Sequence, residues 1–196
     1  MTHSIRFARV RRTLVSVAIV AAAVVAAFFG PPSVRAQSTP QPVPPVVQEA
    51  WEHLIGTWVA DNAAYKGPGD PNDAFGIEWQ WGLGRQSLVG RLYGIRDGKD
   101  IGTYWQFREF WHPGEGRIIA TQFGSDGSYG AGPGEIRPDG SSEYLQTFWD
   151  PSAGTVTRVG HRATLEGDVH TTTSFDVGAD DVWTVRRTYV WKRVRQ

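Results

Sequence analysis

Acidic side chains that could act in acid–base catalysis are present, but no enzyme motif accompanies them. The candidates are Glu78, Glu109, Asp150 and Asp176, and a catalytic pair of carboxylates needs environments that hold the two pKa values apart. The sequence has no Gly-x-Ser-x-Gly elbow, phosphate-binding loop or dinucleotide fingerprint. An enzyme using an inward carboxylate or histidine is therefore an alternative function, and no catalytic residue is assigned.

Three histidines, His112, His161 and His170, are the candidates for a metal site. The strands of a barrel bring distant positions together, and three imidazoles with one open position make a catalytic zinc site. Their spacing matches no ligand motif, and the chain has no cysteine to supply thiolates. We therefore predict no metal and no other cofactor.

Aromatic side chains spaced two residues apart indicate a ligand pocket, because small-molecule sites combine apolar walls with a few polar groups. The predicted ligand-binding residues are Glu78, Trp79, Trp81, Arg91, Tyr104, Trp105, Phe107 and Tyr189, with Leu92 and Phe148 beside them. Glu78, Arg91 and Tyr104 would orient a small, partly apolar molecule against the aromatic walls. The alternative is that these aromatics only form a core, and the pattern does not decide which strand face points inward.

A third function class is recognition of a carbohydrate or a protein partner by exposed tryptophans. Trp51, Trp111 and Trp149 lie near the ends of predicted elements, where an aromatic ring with a polar edge suits a boundary between protein and water. The alternative for these three residues is packing at the ends of the domain.

The elements that would position these residues are β-strands, because aromatic and polar residues alternate with a period of two. Phe75, Ile77, Trp79 and Trp81 show this alternation most clearly. Turn sequences such as Asp97-Gly98 end each run. The predicted strands are 54–62, 75–83, 86–96, 101–111, 117–124, 127–137, 142–150, 155–165, 168–177 and 181–194.

The close spacing of these strands predicts an all-β fold in which sequence neighbours pair antiparallel. A long meander avoids exposed edges most simply by closing on itself. We therefore predict a closed antiparallel meander barrel of about eight to ten strands, whose interior is called the lumen here. The alternative is an open β-sandwich.

The N-terminal region predicts export. Residues 1–36 combine a basic start, an uncharged run from Thr13 to Gly30 and a small residue, Ala36, before a cleavage site, as in a signal peptide. Residues 37–50 are proline-rich and predict a stiff, exposed spacer, with helix only from Gln48 to Leu54. Residues 51–196 would form the barrel domain in a periplasmic or secreted protein, which meets the membrane only through its signal segment, unless that segment is kept as an anchor.

Charge argues against a nucleic-acid partner. The whole chain is neutral, with 20 basic and 20 acidic residues, and loss of residues 1–36 removes five arginines and no acid, leaving a charge of −5. A domain without a basic stripe is a poor match for phosphate backbones. The expected partner is a small molecule, and the sequence does not predict an oligomeric state.

The segment Leu54-Ile55-Gly56-Thr57-Trp58 resembles the start of lipocalin-like (calycin) barrels. This resemblance implies that Trp58, after Gly56, plugs one end of the barrel under a basic residue of the last strand, either Arg187 or Arg193. The run Glu78-Trp79-Gln80-Trp81 is also similar to uncharacterised bacterial exported lipocalin-like proteins, for which no activity is implied. The extension that follows Gly-Thr-Trp in nitrobindin-like haem barrels is missing here, so haem binding is not implied.

Overall fold

The computed structural model describes residues 42–195, and the predicted signal segment lies outside them. The described chain has one α-helix, α1 (Pro45–Leu54), and a 3-10 turn at Leu83–Arg85. The strands are β1 (Gly56–Asp61), β2 (Ala74–Trp81), β3 (Ser87–Arg96), β4 (Lys99–His112), β5 (Arg117–Gly124), β6 (Tyr129–Ile136), β7 (Ser142–Asp150), β8 (Thr155–Glu166), β9 (Val169–Val177) and β10 (Trp183–Arg193).

The ten strands form a closed antiparallel barrel in which every strand pairs with its neighbours in sequence. The first and last strands close it through the Trp58–Arg193 and Val59–Lys192 pairs. The tight turn between β3 and β4 uses Asp97 and Gly98 at φ of 50° and 72°, the left-handed conformation that a two-residue hairpin requires. The predicted meander barrel is confirmed, and the chain does not form the alternative open sandwich.

Helix α1 covers the end of the barrel where β1 begins. Its Trp51 is fully buried and packs with Leu88, Ile118 and Tyr144 from three strands. The helix begins at Pro45, three residues before the predicted start, because proline is well suited to the first turn of a helix. Val43 and Val47 are also buried, so one side of this part of the predicted spacer packs against the barrel.

Arg193 covers Trp58 at the same end of the barrel. The guanidinium carbon lies 4.1 Å from the centre of the Trp58 ring, and its Nη1 and Nη2 each donate a 2.6 Å hydrogen bond, to the carbonyls of Ile55 and His53. Gly56 leaves room for this side chain, since a Cβ there would lie 3.0 Å from Nη1. The structure thus places Arg193, and not Arg187, over Trp58.

Candidate ligand-binding lumen

The barrel encloses a cavity of about 480 Å³. Side chains alternate across each strand, and the face that carries Trp79, Trp105 and Phe107 points inward. The rings of Trp79 and Phe107 lie 5.4 Å apart, and those of Trp105 and Phe148 lie 5.8 Å apart. The lumen is therefore not packed solid, and aromatic faces line much of its wall.

Four of the eight predicted ligand-binding residues line this cavity: Trp79, Trp105, Phe107 and Tyr189. Leu92 and Phe148 line it as well. Tyr189 is held in place because its hydroxyl donates a 3.1 Å hydrogen bond to Oδ1 of Asn62. These aromatic residues thus share one wall of the cavity.

Trp81 and Tyr104 are inside the molecule but away from the cavity wall. Trp81 packs edge-on against Trp51 of α1, with ring centres 6.2 Å apart, so it belongs to the closed end. Tyr104 lies beside an irregularity in the β3–β4 pairing. Its hydroxyl donates a 3.0 Å hydrogen bond to Asn72, and Tyr104 therefore holds the loop before β2 against the barrel.

Glu78 and Arg91 lie on the outer face of the barrel and do not reach the lumen. They are cross-strand partners joined by two hydrogen bonds of 2.8 and 2.9 Å. Arg91 also binds Asp100 at 2.8 Å and stacks on Tyr93. Because strand neighbours point to opposite faces, an inward Trp79 requires an outward Glu78. The prediction that Glu78 and Arg91 face a lumen ligand is therefore corrected.

A buried carboxylate, Glu109, lies at the helix-side end of the lumen and was not among the predicted ligand-binding residues. It is 9% exposed. Its Oε2 accepts hydrogen bonds from Trp51 Nε1 at 2.9 Å and from the Tyr144 hydroxyl at 2.8 Å. Burial raises the pKa of Glu109, although both hydrogen bonds act in the opposite direction. The signal was available, because Glu109 follows Trp105 and Phe107 at the same strand period.

Two nitrogen atoms of the cavity lining are buried without a hydrogen-bond partner in the described part of the chain. They are Nε1 of Trp79 and Nε2 of His161. Burial, followed by the charge of Arg186, lowers the pKa of His161 to about 4, so its imidazole is neutral at pH 7. A neutral imidazole can donate or accept a hydrogen bond, depending on its tautomer.

The three histidines considered for a metal site do not form one cluster in the described part of the chain. His112 is the last residue of β4, beside Glu115, His161 faces the lumen, and the His170 ring packs 5.7 Å from the Trp58 ring. Residues 42–195 contain no group of three histidine, aspartate or glutamate side chains placed to hold a metal ion.

Two arginines line the opposite, open end of the lumen. The β9–β10 pairing shifts register between Val185 and Arg187, and both Arg186 and Arg187 line the cavity there. Arg186 lies 3.2 Å from the carboxylate of Asp176, and the Arg187 guanidinium stacks 5.8 Å from the ring of Tyr65. Arg186 and Arg187 thus bring positive charge to the mouth of the lumen.

The tryptophans considered for carbohydrate or partner binding have different environments. Trp51 is fully buried, which excludes it from a surface platform. Trp111 packs partly buried against the core under α1. Trp149 is 44% exposed and stacks on Tyr129 with ring centres 5.6 Å apart.

Fold and cavity together define a closed antiparallel β-barrel with an aromatic lumen. The sequence matches no protein-family model and no curated protein. A lipocalin-like resemblance agrees with the barrel architecture. Within residues 42–195, no helix has the length and apolar character needed to cross a bilayer.

Proposed function

We propose that this barrel binds a small, partly apolar molecule in its lumen and does no chemistry on it. The observation that carries the proposal is the open cavity of about 480 Å³ behind aromatic walls. Small-molecule pockets have volumes of roughly 300–1,000 Å³ and mostly apolar linings with a few polar groups. The lipocalin-like resemblance supports the proposal, because barrels of this size can hold one small ligand.

The cavity lining supplies both the apolar surface and the polar groups of such a site. Trp79, Trp105 and Phe107 supply apolar surface whose removal from water favours binding. The unpartnered nitrogen atoms of Trp79 and His161 supply hydrogen-bonding groups that a ligand would satisfy. Burying polar groups without partners has a free-energy cost, which a ligand with matching groups removes.

Filling the lumen tests the proposal directly. Ser174 lines the cavity, and Ser174→Trp places an indole in the space that a ligand would occupy. We expect this variant to weaken binding of the lipophilic dye N-phenylnaphthylamine by at least about tenfold. The measurement is a titration that follows quenching of tryptophan fluorescence by the dye, which Trp105→Ala should reduce.

Thr173→Trp is the matched control, because Thr173 is the next residue on the same strand and makes its hydrogen bond to Thr188 on the exposed face. It should bind the dye as the unchanged protein does. Equal binding by both variants, or no binding by the unchanged protein, would contradict a ligand-binding lumen.

An enzyme is the second candidate, and the pairing of Glu109 with Tyr144 inside the lumen favours it. A buried carboxylate with a raised pKa can act as a general acid or base. The same hydrogen bonds also tie β4 to β7 and α1, which is a structural role. Chemical conversion of a bound molecule, detected by mass spectrometry and lost in Glu109→Gln, would support the enzyme over the binding protein.

Export is proposed from residues 1–36. Protein recovered from the extracytoplasmic fraction should have the intact mass of a chain beginning at Gln37, because Ala36 is the small residue before the cleavage site. Ala36→Phe should keep the segment, since a large residue there blocks processing. An uncleaved mass for the unchanged protein would favour a retained membrane anchor.

A further inference from the structure

Glu109 is a buried acid without a counterion in the described part of the chain. None of the ion pairs formed by residues 42–195 includes its carboxylate. The neutral donors Trp51 and Tyr144 both bind Oε2, and Oε1 has no hydrogen-bond partner among those residues. An ionised carboxylate is costly to bury unless a cation compensates it.

Within residues 42–195, the cationic residues that line the cavity do not supply that compensation. Arg108 precedes Glu109 on β4 and is exposed, and Arg162 is paired with the carboxylate of Glu143 at 2.6 Å. Arg186 and Arg187 lie near the start of β10, at the end of the lumen away from α1. His161 is neutral at pH 7 because its pKa is lowered to about 4.

Aromatic faces stand beside the acid along the same strand. Phe107 precedes Glu109 by two residues, shares its inward face and packs 5.4 Å from Trp79. Trp79 also contacts the core cluster that contains Trp51 and Tyr144. A cation is attracted by the face of an aromatic ring, most strongly where water is excluded. The helix-side end of the lumen therefore combines an acid acceptor with surfaces that favour a positive charge.

We propose that the molecule bound in the lumen is an aromatic or aliphatic amine, whose ammonium group donates a hydrogen bond to Oε1 of Glu109. Its apolar body lies against Trp79 and Phe107. This inference rests on the proposed ligand-binding function and adds the chemical class of the ligand. The ammonium group supplies the counterion that Glu109 lacks.

Three probes of similar shape and different charge test the inference: phenethylamine, phenethyl alcohol and hydrocinnamate. Isothermal titration calorimetry at pH 7 should show phenethylamine binding at least about tenfold more tightly than phenethyl alcohol, since hydrogen bonds to charged groups are the stronger ones. Glu109→Gln keeps the shape of the side chain and an oxygen acceptor, and it should abolish this preference while leaving binding of phenethyl alcohol unchanged.

Glu78→Gln is the matched control, because Glu78 lies on the outer face, and it should keep the preference. Equal binding of the amine and the alcohol by the unchanged protein would overturn the inference while leaving the ligand-binding lumen intact. Tighter binding of hydrocinnamate would also overturn it and would point to the arginines at the mouth. If none of the three probes and no lipophilic dye binds, the lumen function itself fails. If Glu109→Gln does not fold, the order of the three affinities in the unchanged protein decides whether the ligand is an amine.

Discussion

Trp58→Ala should lower the free energy of unfolding by about 3–5 kcal/mol. Trp58 is fully buried and forms a core cluster with Ala60, Ile77 and Trp191. Its removal leaves a cavity and also takes away the aromatic face under Arg193. The hydrogen bond from Trp58 Nε1 to the carbonyl of Leu54, at 2.8 Å, is lost as well. Urea denaturation followed by circular dichroism measures this change.

Trp149→Ala is the control for that experiment. Trp149 is 44% exposed on the outside of the barrel, so its truncation removes far less buried surface and should cost under about 1 kcal/mol. Similar losses for the two variants would mean that Trp58 does not occupy the core position described here.

Acidification should destabilise the barrel through two buried histidines. Burial is the main cause that lowers the pKa values of His161 and His170 from 6.5 to about 4, with Arg186 and Arg193 adding a smaller effect. The unfolded chain therefore takes up protons at a higher pH than the folded chain. The stabilisation from each neutral histidine is complete above about pH 6.5, is lost as the pH falls to about 4, and amounts to about 3 kcal/mol per residue.

The raised pKa of Glu109 has the opposite effect, because it favours the folded barrel as the pH falls. Comparison of variants separates the contribution of the histidines from that of Glu109. His161→Gln should show a smaller loss of stability between about pH 7 and pH 4.5 than the unchanged protein. His112→Gln, at the half-exposed end of β4, should leave the loss unchanged. Urea midpoints measured at both pH values give the comparison, and an identical pH dependence for all three proteins would refute the role of His161.

The strands were predictable because their signals are local. Alternation and turn residues recur within each segment, and all ten predicted strands correspond to strands in the structure. The start of the helix was harder to predict from the sequence. Prolines at 44 and 45 usually indicate an interruption of regular structure, although here they begin α1. Burial of Val43 and Val47 depends on contacts with distant strands, which no local pattern records.

The lumen was predictable only in part, because period two assigns residues to two faces without saying which one points inward. Trp79 and Trp105 fell on the inner face as expected, whereas Glu78 and Arg91 were chosen from the opposite face as polar anchors. Glu109, which brings a buried carboxyl group into the lumen, was visible in the same alternation as Phe107. An acid on an aromatic face conflicts with simple apolar patterning, and such a conflict is a signal of function.

The hydrogen bond that Oε2 of Glu109 accepts from Trp51 joins helix α1 to the wall of the lumen. Trp51 of α1 and the proposed lumen ligand would share one carboxylate, and occupancy of the cavity would then be thermodynamically linked to attachment of the helix. Such linkage is reciprocal: if a ligand strengthens the attachment of α1 to the barrel by some factor, attachment of α1 strengthens the binding of that ligand by the same factor. Resistance of helix α1 to proteases would therefore report whether the cavity is filled.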